Sequence, residues 1–180
     1  MTAPTIAGEA RVVLVIGGAR SGKSRHAQQL AERASGPLVF VATAQAFDAE
    51  MIDRIARHRA DRDGRWRTVE APVDLAAAVA AYDAPGATML VDCLTLWSSN
   101  LMLGDEDIDR HLARLDAALA AVRGRVILVS NEVGWGIVPD NAMARAFRDV
   151  AGRVNQSVAA RAQAVDLVVA GLPLALKRPD

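Results

Sequence analysis

The feature that most constrains this chain is a glycine-rich loop between a predicted strand and a predicted helix. Residues 12–16 are a continuous apolar run, and residues 17–24 read Gly-Gly-Ala-Arg-Ser-Gly-Lys-Ser, which has the spacing G-x-x-x-x-G-K-[ST]. In this motif backbone N–H groups surround a phosphate, the lysine reaches the β- and γ-phosphates, and the final hydroxyl binds Mg²⁺. The following helix directs the positive end of its dipole at the same anion. The sequence therefore predicts a P-loop and a chain that binds a nucleoside triphosphate.

The alternative interpretation of this segment is a glycine turn before a helix, without a ligand. Lysine usage favours the P-loop, because only two of the 21 basic residues are lysines and Lys23 stands where a compact ammonium is needed among phosphates. We predict Lys23 as a catalytic residue and Ser24 as a ligand of Mg²⁺. The predicted phosphate-binding residues are Gly17, Gly18, Ala19, Arg20, Ser21, Gly22, Lys23 and Ser24.

The order of predicted elements is that of an α/β nucleotide-binding domain. Strands are predicted at residues 12–16, 38–43, 66–70, 88–92, 125–130 and 166–170, with a short antiparallel edge strand at 174–177. Helices are predicted at residues 23–34, 48–62, 73–82, 108–122 and 141–164, the last with a candidate break near Gly152. Alternating strands and helices imply a mostly parallel sheet with helices on both faces and ligands at the carboxyl ends of the strands. We expect a single domain, residues 11–180, after a flexible tail, residues 1–10.

Composition narrows the classes of function. The formal net charge is zero, which argues against a nucleic-acid partner because such proteins present a cationic surface. Residues 1–10 lack the basic start and apolar core of a signal peptide, and no apolar run approaches the ~20 residues that span a bilayer. A single cysteine, Cys93, excludes an intrachain disulfide framework and fits a reducing compartment. We therefore expect a cytoplasmic protein without membrane insertion.

Two predicted strands end in residues that can face the phosphate site. Asp92 closes the strand at 88–92, and an acid at this point of a P-loop protein commonly holds Mg²⁺, directly or through water. The alternative role for Asp92 is to cap the next helix. Thr43 ends the strand at 38–43, where it either faces the site or is a plain turn residue.

An arginine-rich segment, residues 53–67, carries six arginines, one histidine and three aspartates. It is either a solvated helix with i,i+4 ion pairs or a cationic lid over a polyphosphate. His58 lies within it, and a neutral imidazole there can attack phosphorus, although a histidine on a helix is more often packed or solvated. His26 and His111 have no second His or Cys at metal-ligand spacing. Residues 131–139 combine two glycines, a proline, an amide and an acid, which is typical of a shaped loop at an active edge.

Seven stretches together resemble one family, the bifunctional adenosylcobinamide kinase / adenosylcobinamide-phosphate guanylyltransferases of cobalamin biosynthesis. They are GGARSGKSRHA (17–27), VATAQ (41–45), DAEMIDRIARHR (48–59), WRTVE (66–70), VDCLT (91–95), NEVGWGIVP (131–139) and FRDVAGRVNQ (147–156). The likeness covers residues 12–177. The P-loop alone does not identify the family, whereas the histidine segment and the loop at 131–139 do so together.

The resemblance implies a RecA-like P-loop fold and two reactions. ATP or GTP would phosphorylate the aminopropanol hydroxyl of adenosylcobinamide, and GMP would then pass from GTP to adenosylcobinamide phosphate with release of pyrophosphate. In the family a histidine carries the GMP as a phosphoramidate, and His58 matches that motif. The resemblance also implies a homotrimer. The nucleotide contacts that it implies beyond the P-loop are Thr43, Ala44, Gln45, Arg59, Ala60, Asp61, Arg62, Glu70 and Asp92.

One departure and two rival functions stay open. Other members of the family can carry glutamate where Asp92 stands, which weakens the case for a direct metal bond. A P-loop kinase of another small molecule would keep Lys23, Ser24 and Asp92 but form no covalent nucleotide adduct. A nucleotide-gated binding module would bind triphosphates without turnover of corrinoids.

Overall fold

Seven strands form one sheet within residues 10–44 and 64–179, the part of the chain that the computed structural model describes. They are β1 (Val12–Gly17), β2 (Leu38–Ala42), β3 (Trp66–Glu70), β4 (Thr88–Asp92), β5 (Arg125–Asn131), β6 (Ala164–Val169) and β7 (Leu172–Lys177). Their order across the sheet is β3-β2-β4-β5-β1-β6-β7. All neighbours are parallel except β6 and β7, which form an antiparallel hairpin at one edge. The predicted α/β class, the mostly parallel sheet and the antiparallel C-terminal edge strand are confirmed.

Helices cover both faces of this sheet, as predicted. The described ranges contain α1 (Lys23–Glu32), α2 (Leu75–Tyr82), α3 (Leu94–Leu103), α4 (Ile108–Ala120) and α5 (Ala142–Arg161). Successive strand residues point to opposite faces. Leu14 therefore packs in one apolar core with residues of α2, α3, α4 and α5, whereas Val13 and Val15 pack in a second core with α1. Both cores are built on the continuous apolar strands that the sequence shows.

The helices differ from the prediction at two places, each for a physical reason. Helix α3 was not predicted, because most of its residues are buried and it lacks the polar face that periodicity detects. Helix α5 runs through Gly152 without the candidate break, because one glycine costs a helix only about 1 kcal/mol and its buried neighbours Ala151 and Val154 anchor the helix on either side. The predicted helix at 48–62 lies outside the described residues.

Of the predicted tail, residues 1–10, the structure describes only the last residue. Residues 1–9 lie outside the described residues. Ala10 is 2% exposed and belongs to the second apolar core, so the domain includes this residue.

The topology brings the predicted site residues to one edge of the sheet. Gly17 pairs with Asn131, and Ala42 pairs with both Glu70 and Asp92, so these parallel strands end at a common level. This edge, where β1 to β6 end, is called the carboxyl edge here, and the edge where they begin is called the amino edge. Ligands of parallel α/β sheets bind at the carboxyl edge, where the P-loop follows β1.

Candidate active site

The P-loop joins β1 to α1 in a conformation that its glycines permit. Gly22, the N-cap of α1, has a φ of 93°, and the helix has no side-chain cap, so N–H groups of its first turn are available to an anion. A Cβ on Gly17 would lie 2.5 Å from the carbonyl oxygen of Val168, so only glycine fits there between β1 and β6. The Nζ of Lys23 donates a hydrogen bond of 3.1 Å to the Gly18 oxygen, which folds the side chain back towards the loop. This geometry suits phosphate binding.

Ser24 and Asp92 line one cleft of about 350 Å³ beside α1. The other residues that line it are Arg25, Gln28, Gln29, Glu32, Phe40 and Leu90. The cap interpretation of Asp92 is wrong, because the N-cap of α3 is Cys93 and no side chain caps that helix. Asp92 is thereby left half-buried at the carboxyl edge, on the wall of the same cleft as Ser24.

The chemistry of Ser24 and Asp92 fits the predicted Mg²⁺. A hydroxyl and one carboxylate are the oxygen donors that Mg²⁺ takes from a protein when phosphate and water supply its other ligands. No group of three or more His, Cys, Asp or Glu side chains within residues 10–44 and 64–179 could hold a metal by itself. The described donors therefore suit an ion shared with a nucleotide better than a closed protein site.

Thr43 joins the ends of β2 and β4 and is fully buried. Its hydroxyl accepts a hydrogen bond from the Cys93 N–H and donates one to the Cys93 oxygen, each 2.7 Å long. The Thr43 oxygen accepts a third, also 2.7 Å, from the side-chain amide of Asn100. Burial, together with the charge of Asp92, raises the pKa of Cys93 to about 11, so the thiol stays protonated at neutral pH. Thr43 thus fixes the strand end that carries Asp92, and its contact with nucleotide stays a prediction.

Two further predicted nucleotide contacts, Ala44 and Glu70, lie in the described ranges. Ala44 is half-exposed and directly follows Thr43. Glu70 ends β3 at the carboxyl edge but lines a separate open groove of about 390 Å³ beside α2. The cleft that Ser24 lines does not include it. The remaining predicted contacts and the predicted nucleophile lie outside the described residues: Gln45, His58, Arg59, Ala60, Asp61 and Arg62.

Two arginines of the segment at 53–67 are described, and both bind the flanking helices. Arg65 donates a hydrogen bond of 3.1 Å to the Ala34 oxygen just after α1. The guanidinium carbon of Arg67 lies 4.8 Å from the centre of the Tyr82 ring at the end of α2. These contacts attach β3 to its neighbours. The other four arginines, on which the lid interpretation mainly depends, lie outside the described residues.

His26 and His111 each bind one carboxylate. His26 Nε2 lies 3.0 Å from Asp166 Oδ2, and His111 Nε2 lies 3.2 Å from Glu106 Oε2. Neither belongs to a group of metal-binding side chains in the described part of the chain. Asp166 also accepts a hydrogen bond from Arg178. Burial raises the pKa of Asp166, but the bonds from these two donors and their charges outweigh it, and the net pKa lies below its usual value.

The loop at 131–139 begins beside the P-loop, as its predicted place at the active edge requires. The N–H of Glu132 donates a hydrogen bond of 3.1 Å to the Gly17 oxygen. Three apolar side chains of this loop are exposed: Trp135 by 68%, Ile137 by 96% and Val138 by 60%. An apolar surface of this kind next to a site is a candidate binding surface.

A buried polar network supports the start of that loop. The Ser130 hydroxyl donates to the Asn155 side-chain oxygen at 2.6 Å, and the Asn155 amide donates to the Asn131 backbone oxygen at 3.1 Å. The Asn131 N–H donates to the Thr95 hydroxyl at 2.7 Å. Sequence reasoning missed this network and Asn100. The available signal was the presence of amides and hydroxyls in otherwise apolar buried elements, because such groups need partners inside the protein.

Two buried side-chain oxygens at the carboxyl edge have no hydrogen-bond partner among the described residues. They are Ser21 Oγ in the P-loop and Asn131 Oδ1 at the end of β5. Buried polar atoms in folded proteins are nearly always paired, so an unpaired one commonly marks the place of an ion, water or ligand. Both lie next to Gly17, on which the two loops converge.

The family follows from a comparison with known proteins. A family model described as cobinamide kinase / cobinamide phosphate guanyltransferase matches residues 13–176. The chain belongs to this family. Members of the cobinamide kinase / cobinamide phosphate guanyltransferase family are enzymes, and the match contains the whole P-loop, Asp92 and the loop at 131–139. The rival of a binding module without enzymatic activity is therefore wrong.

Curated relatives agree with this assignment. The chain is 48% identical over 166 residues to the "Bifunctional adenosylcobalamin biosynthesis protein CobP" of Pseudomonas aeruginosa, covering 91% of this chain and 96% of the relative. It is 43% identical over 181 residues to the CobU protein of Salmonella typhimurium, covering 92% and 99%. Among solved structures, a RadB recombinase matches 88% of this chain and 74% of its own with 15% identity and a TM-score of 0.47. None of the described helices has the length and apolar character to span a bilayer.

Proposed function

We propose that this enzyme phosphorylates adenosylcobinamide and then transfers GMP to the product, which gives adenosylcobinamide-GDP. The observation that carries the proposal is the family match over residues 13–176. The geometry supports it, because Lys23 folds towards the P-loop and Ser24 and Asp92 share one cleft beside it. We further propose that the chain from Ala10 onward forms a single catalytic domain.

In the kinase step, the acceptor hydroxyl attacks the γ-phosphorus of ATP or GTP. The bond from that phosphorus to the β–γ bridging oxygen breaks, the nucleoside diphosphate leaves, and the hydroxyl proton is released. Lys23 and the N–H groups of the P-loop stabilise the charge on the transferred group. Ser24 and Asp92 would hold Mg²⁺, and the ion would supply positive charge that neutralises the phosphates of the nucleotide.

In the guanylyltransferase step, a ring nitrogen of His58 attacks the α-phosphorus of GTP and pyrophosphate leaves. A phosphate oxygen of adenosylcobinamide phosphate then attacks the same phosphorus, the phosphorus–nitrogen bond breaks, and His58 is restored. A covalent intermediate divides one difficult displacement into two. The support is the match of residues 48–59 to the family's nucleophile motif. Arg57, Arg59 and Arg62 supply positive charge for the pyrophosphate.

We assign the remaining nucleotide contacts to residues on both sides of that motif. They are Thr43, Ala44, Gln45, Arg59, Ala60, Asp61, Arg62 and Glu70. The position of Ala44 after β2, next to the strand that carries Asp92, supports its assignment. Glu70 has the weaker support, because it lines a groove apart from the cleft of Ser24.

We assign the acceptor side of the site to the loop at 131–139. Its start is hydrogen-bonded to Gly17, so an acceptor held there lies near the γ-phosphate. Its exposed Trp135, Ile137 and Val138 suit the large apolar faces of a corrin ring.

We propose that the enzyme works as a homotrimer in the cytoplasm. Apolar side chains exposed on β7, Leu172, Leu174 and Leu176, support an assembly, because apolar clusters on a surface commonly mark protein interfaces. The resemblance supplies the number of subunits. Size-exclusion chromatography with light scattering tests it: a monomer at micromolar concentration contradicts this assembly and leaves the activity proposal intact.

The function is tested by following the corrinoid. The purified enzyme with Mg²⁺, ATP and adenosylcobinamide should yield adenosylcobinamide phosphate, and added GTP should then yield adenosylcobinamide-GDP with an equal amount of pyrophosphate. Mass spectrometry and a pyrophosphate assay measure both products. Phosphorylation without guanylyl transfer would contradict the second reaction and leave the first. Nucleotide hydrolysis with no corrinoid product would contradict the proposal.

A further inference from the structure

We propose that the β6–β7 hairpin and the residue after it form a brace that positions the P-loop for nucleotide binding. The brace consists of Asp166 on β6, Gly171 in the hairpin turn, and Arg178 after β7. Its members act through P-loop and α1 residues, so they are positioning residues. The inference rests on the proposed use of the P-loop to bind nucleotide.

The hairpin turn contacts the P-loop directly. The N–H of Gly171 donates a hydrogen bond of 2.8 Å to the Ser21 oxygen. Gly22 is so close that a Cβ on it would lie 3.2 Å from the Gly171 Cα. Ala170 and Gly171 have φ values of 51° and 80°, as a tight two-residue hairpin turn of type I′ requires. The turn therefore fixes the P-loop backbone directly before Lys23.

Asp166 holds the other side of the same segment. It is 2% exposed, and its Oδ2 lies 3.0 Å from Nε2 of His26, in the first turn of α1. Its Oδ1 accepts a hydrogen bond from the Arg178 guanidinium, which also donates to the Lys177 oxygen at 2.8 Å. Asp166 thus links α1, the helix that begins at Lys23, to the segment that follows the last strand, β7.

The burial of this carboxylate argues for a specific task. A carboxylate taken out of water lowers stability unless partners compensate for its lost hydration. Here each oxygen of Asp166 has its own donor: one is on α1, and the other lies in the chain after β7. Two donors on a planar acceptor fix both position and angle, which an apolar contact would not do. The P-loop is therefore held at Ser21 and at His26, on either side of Lys23 and Ser24.

The sharpest test compares Asp166→Asn with Asp83→Asn. An asparagine has one acceptor oxygen and a donor amide, so it cannot accept from both His26 and Arg178. Asp83 is a matched control, because it too is little exposed and bonded to several donors, but it lies at the amino edge. Both variants should lower Tm. Only Asp166→Asn should raise the dissociation constant of a non-hydrolysable GTP analogue, by about 10-fold, which corresponds to about 1.4 kcal/mol of binding free energy.

A second pair tests the hairpin turn. Gly171 and Gly86 have φ values of 80° and 81°, and a Cβ on either would meet no atom within 4 Å. Alanine therefore introduces the same backbone strain at both sites without a clash. Gly86 lies before β4 at the amino edge, so Gly86→Ala should leave analogue affinity and nucleotide KM unchanged. Gly171→Ala should raise both by about 3-fold, which corresponds to about 0.7 kcal/mol of binding free energy.

Titration calorimetry with the analogue, kinase KM for ATP, and thermal unfolding together decide the outcome. The brace is contradicted if Asp166→Asn and Gly171→Ala bind the analogue as tightly as their controls at equal loss of Tm. If Asp166→Asn does not fold, the Gly171→Ala pair alone decides. Failure of the proposed function is a separate result: the wild type would then form no corrinoid product, while analogue binding would still report on the brace.

Discussion

The amino edge and the carboxyl edge of the sheet both contain glycines in close contact with neighbouring backbone, but only the carboxyl edge leaves an open cleft. At the amino edge the connecting loops pack tightly against each other: a Cβ on Gly36 would lie 2.1 Å from the Gly86 oxygen, and one on Gly124 would lie 2.4 Å from the Ala84 oxygen. Asp83 links two of these loops, because its side chain accepts a hydrogen bond of 2.9 Å from the Gly124 N–H. At the carboxyl edge a cleft of about 350 Å³ opens beside α1. We therefore expect variants at the amino edge to change mainly the stability of the fold, and variants at the carboxyl edge to change mainly the activity.

The largest expected effect is at the carboxyl edge. Lys23→Ala should reduce both activities by about 100-fold or more, since removing one contact to developing charge costs about 3 kcal/mol or more. Its Tm should be nearly unchanged. Lys177→Ala is the matched control, because Lys177 is the only other lysine and its Nζ binds two carbonyl oxygens at the end of α5. Steady-state kinetics of both variants check this, and normal turnover of Lys23→Ala would remove the P-loop from the mechanism.

The amino edge should show the opposite behaviour. Gly124→Ala should destabilise the fold by about 2 kcal/mol, because its Cβ would overlap two backbone oxygens that cannot move independently. Activity per folded molecule should stay normal. Gly152→Ala is the control: its Cβ meets open space in a continuous helix, so it should stabilise by up to about 1 kcal/mol. Urea unfolding measures both. Equal stability of the two variants would contradict the close packing described for the amino edge.

A smaller effect is expected at Asp92, the proposed ligand of Mg²⁺. Asp92→Asn should lower kinase activity at 1 equivalent of Mg²⁺ per nucleotide, with partial recovery at raised Mg²⁺, because an amide is a weaker ligand than a carboxylate. Asp109→Asn, at an exposed position on α4, should keep the wild-type dependence. Mg²⁺ titrations of turnover check this. An unchanged Mg²⁺ dependence of Asp92→Asn would move the metal site away from β4.

The smallest effect concerns pH at the amino edge. Burial raises the pKa of Asp83, but hydrogen bonds from Gly124 and Arg123 outweigh it and the net pKa is lowered. A lowered pKa adds stability above the unfolded value, about 3.9, and that stability is lost as the pH falls through the folded value. The stability gap between wild type and Asp83→Asn should therefore shrink from pH 7 to pH 3. Unfolding at both pH values measures it, and a constant gap would show that the charge contributes nothing.

Local sequence was sufficient where one segment fixes the chemistry. The P-loop was predictable because Gly17, Gly22, Lys23 and Ser24 stand at set spacings in one loop. The Asp166–His26 contact joins residues 140 positions apart, so no local pattern indicates it. The same holds for the hydrogen bonds between the Thr43 hydroxyl and the backbone of Cys93, 50 positions away. The strands followed from apolar runs, whereas α3 did not, since a buried helix has no polar face to give a period.

The central claim is that His58 is the nucleophile of guanylyl transfer, and labelling with α-labelled GTP tests it most directly. Wild type with Mg²⁺ should retain the label after denaturation on the peptide that contains His58, as an acid-labile, alkali-stable adduct typical of a phosphorus–nitrogen bond. His58→Ala should lose both the label and guanylyl transfer while it keeps kinase activity at least in part. Lys23→Ala should label far more slowly. A label on His26 or His111, or full guanylyl transfer by His58→Ala, would contradict the account.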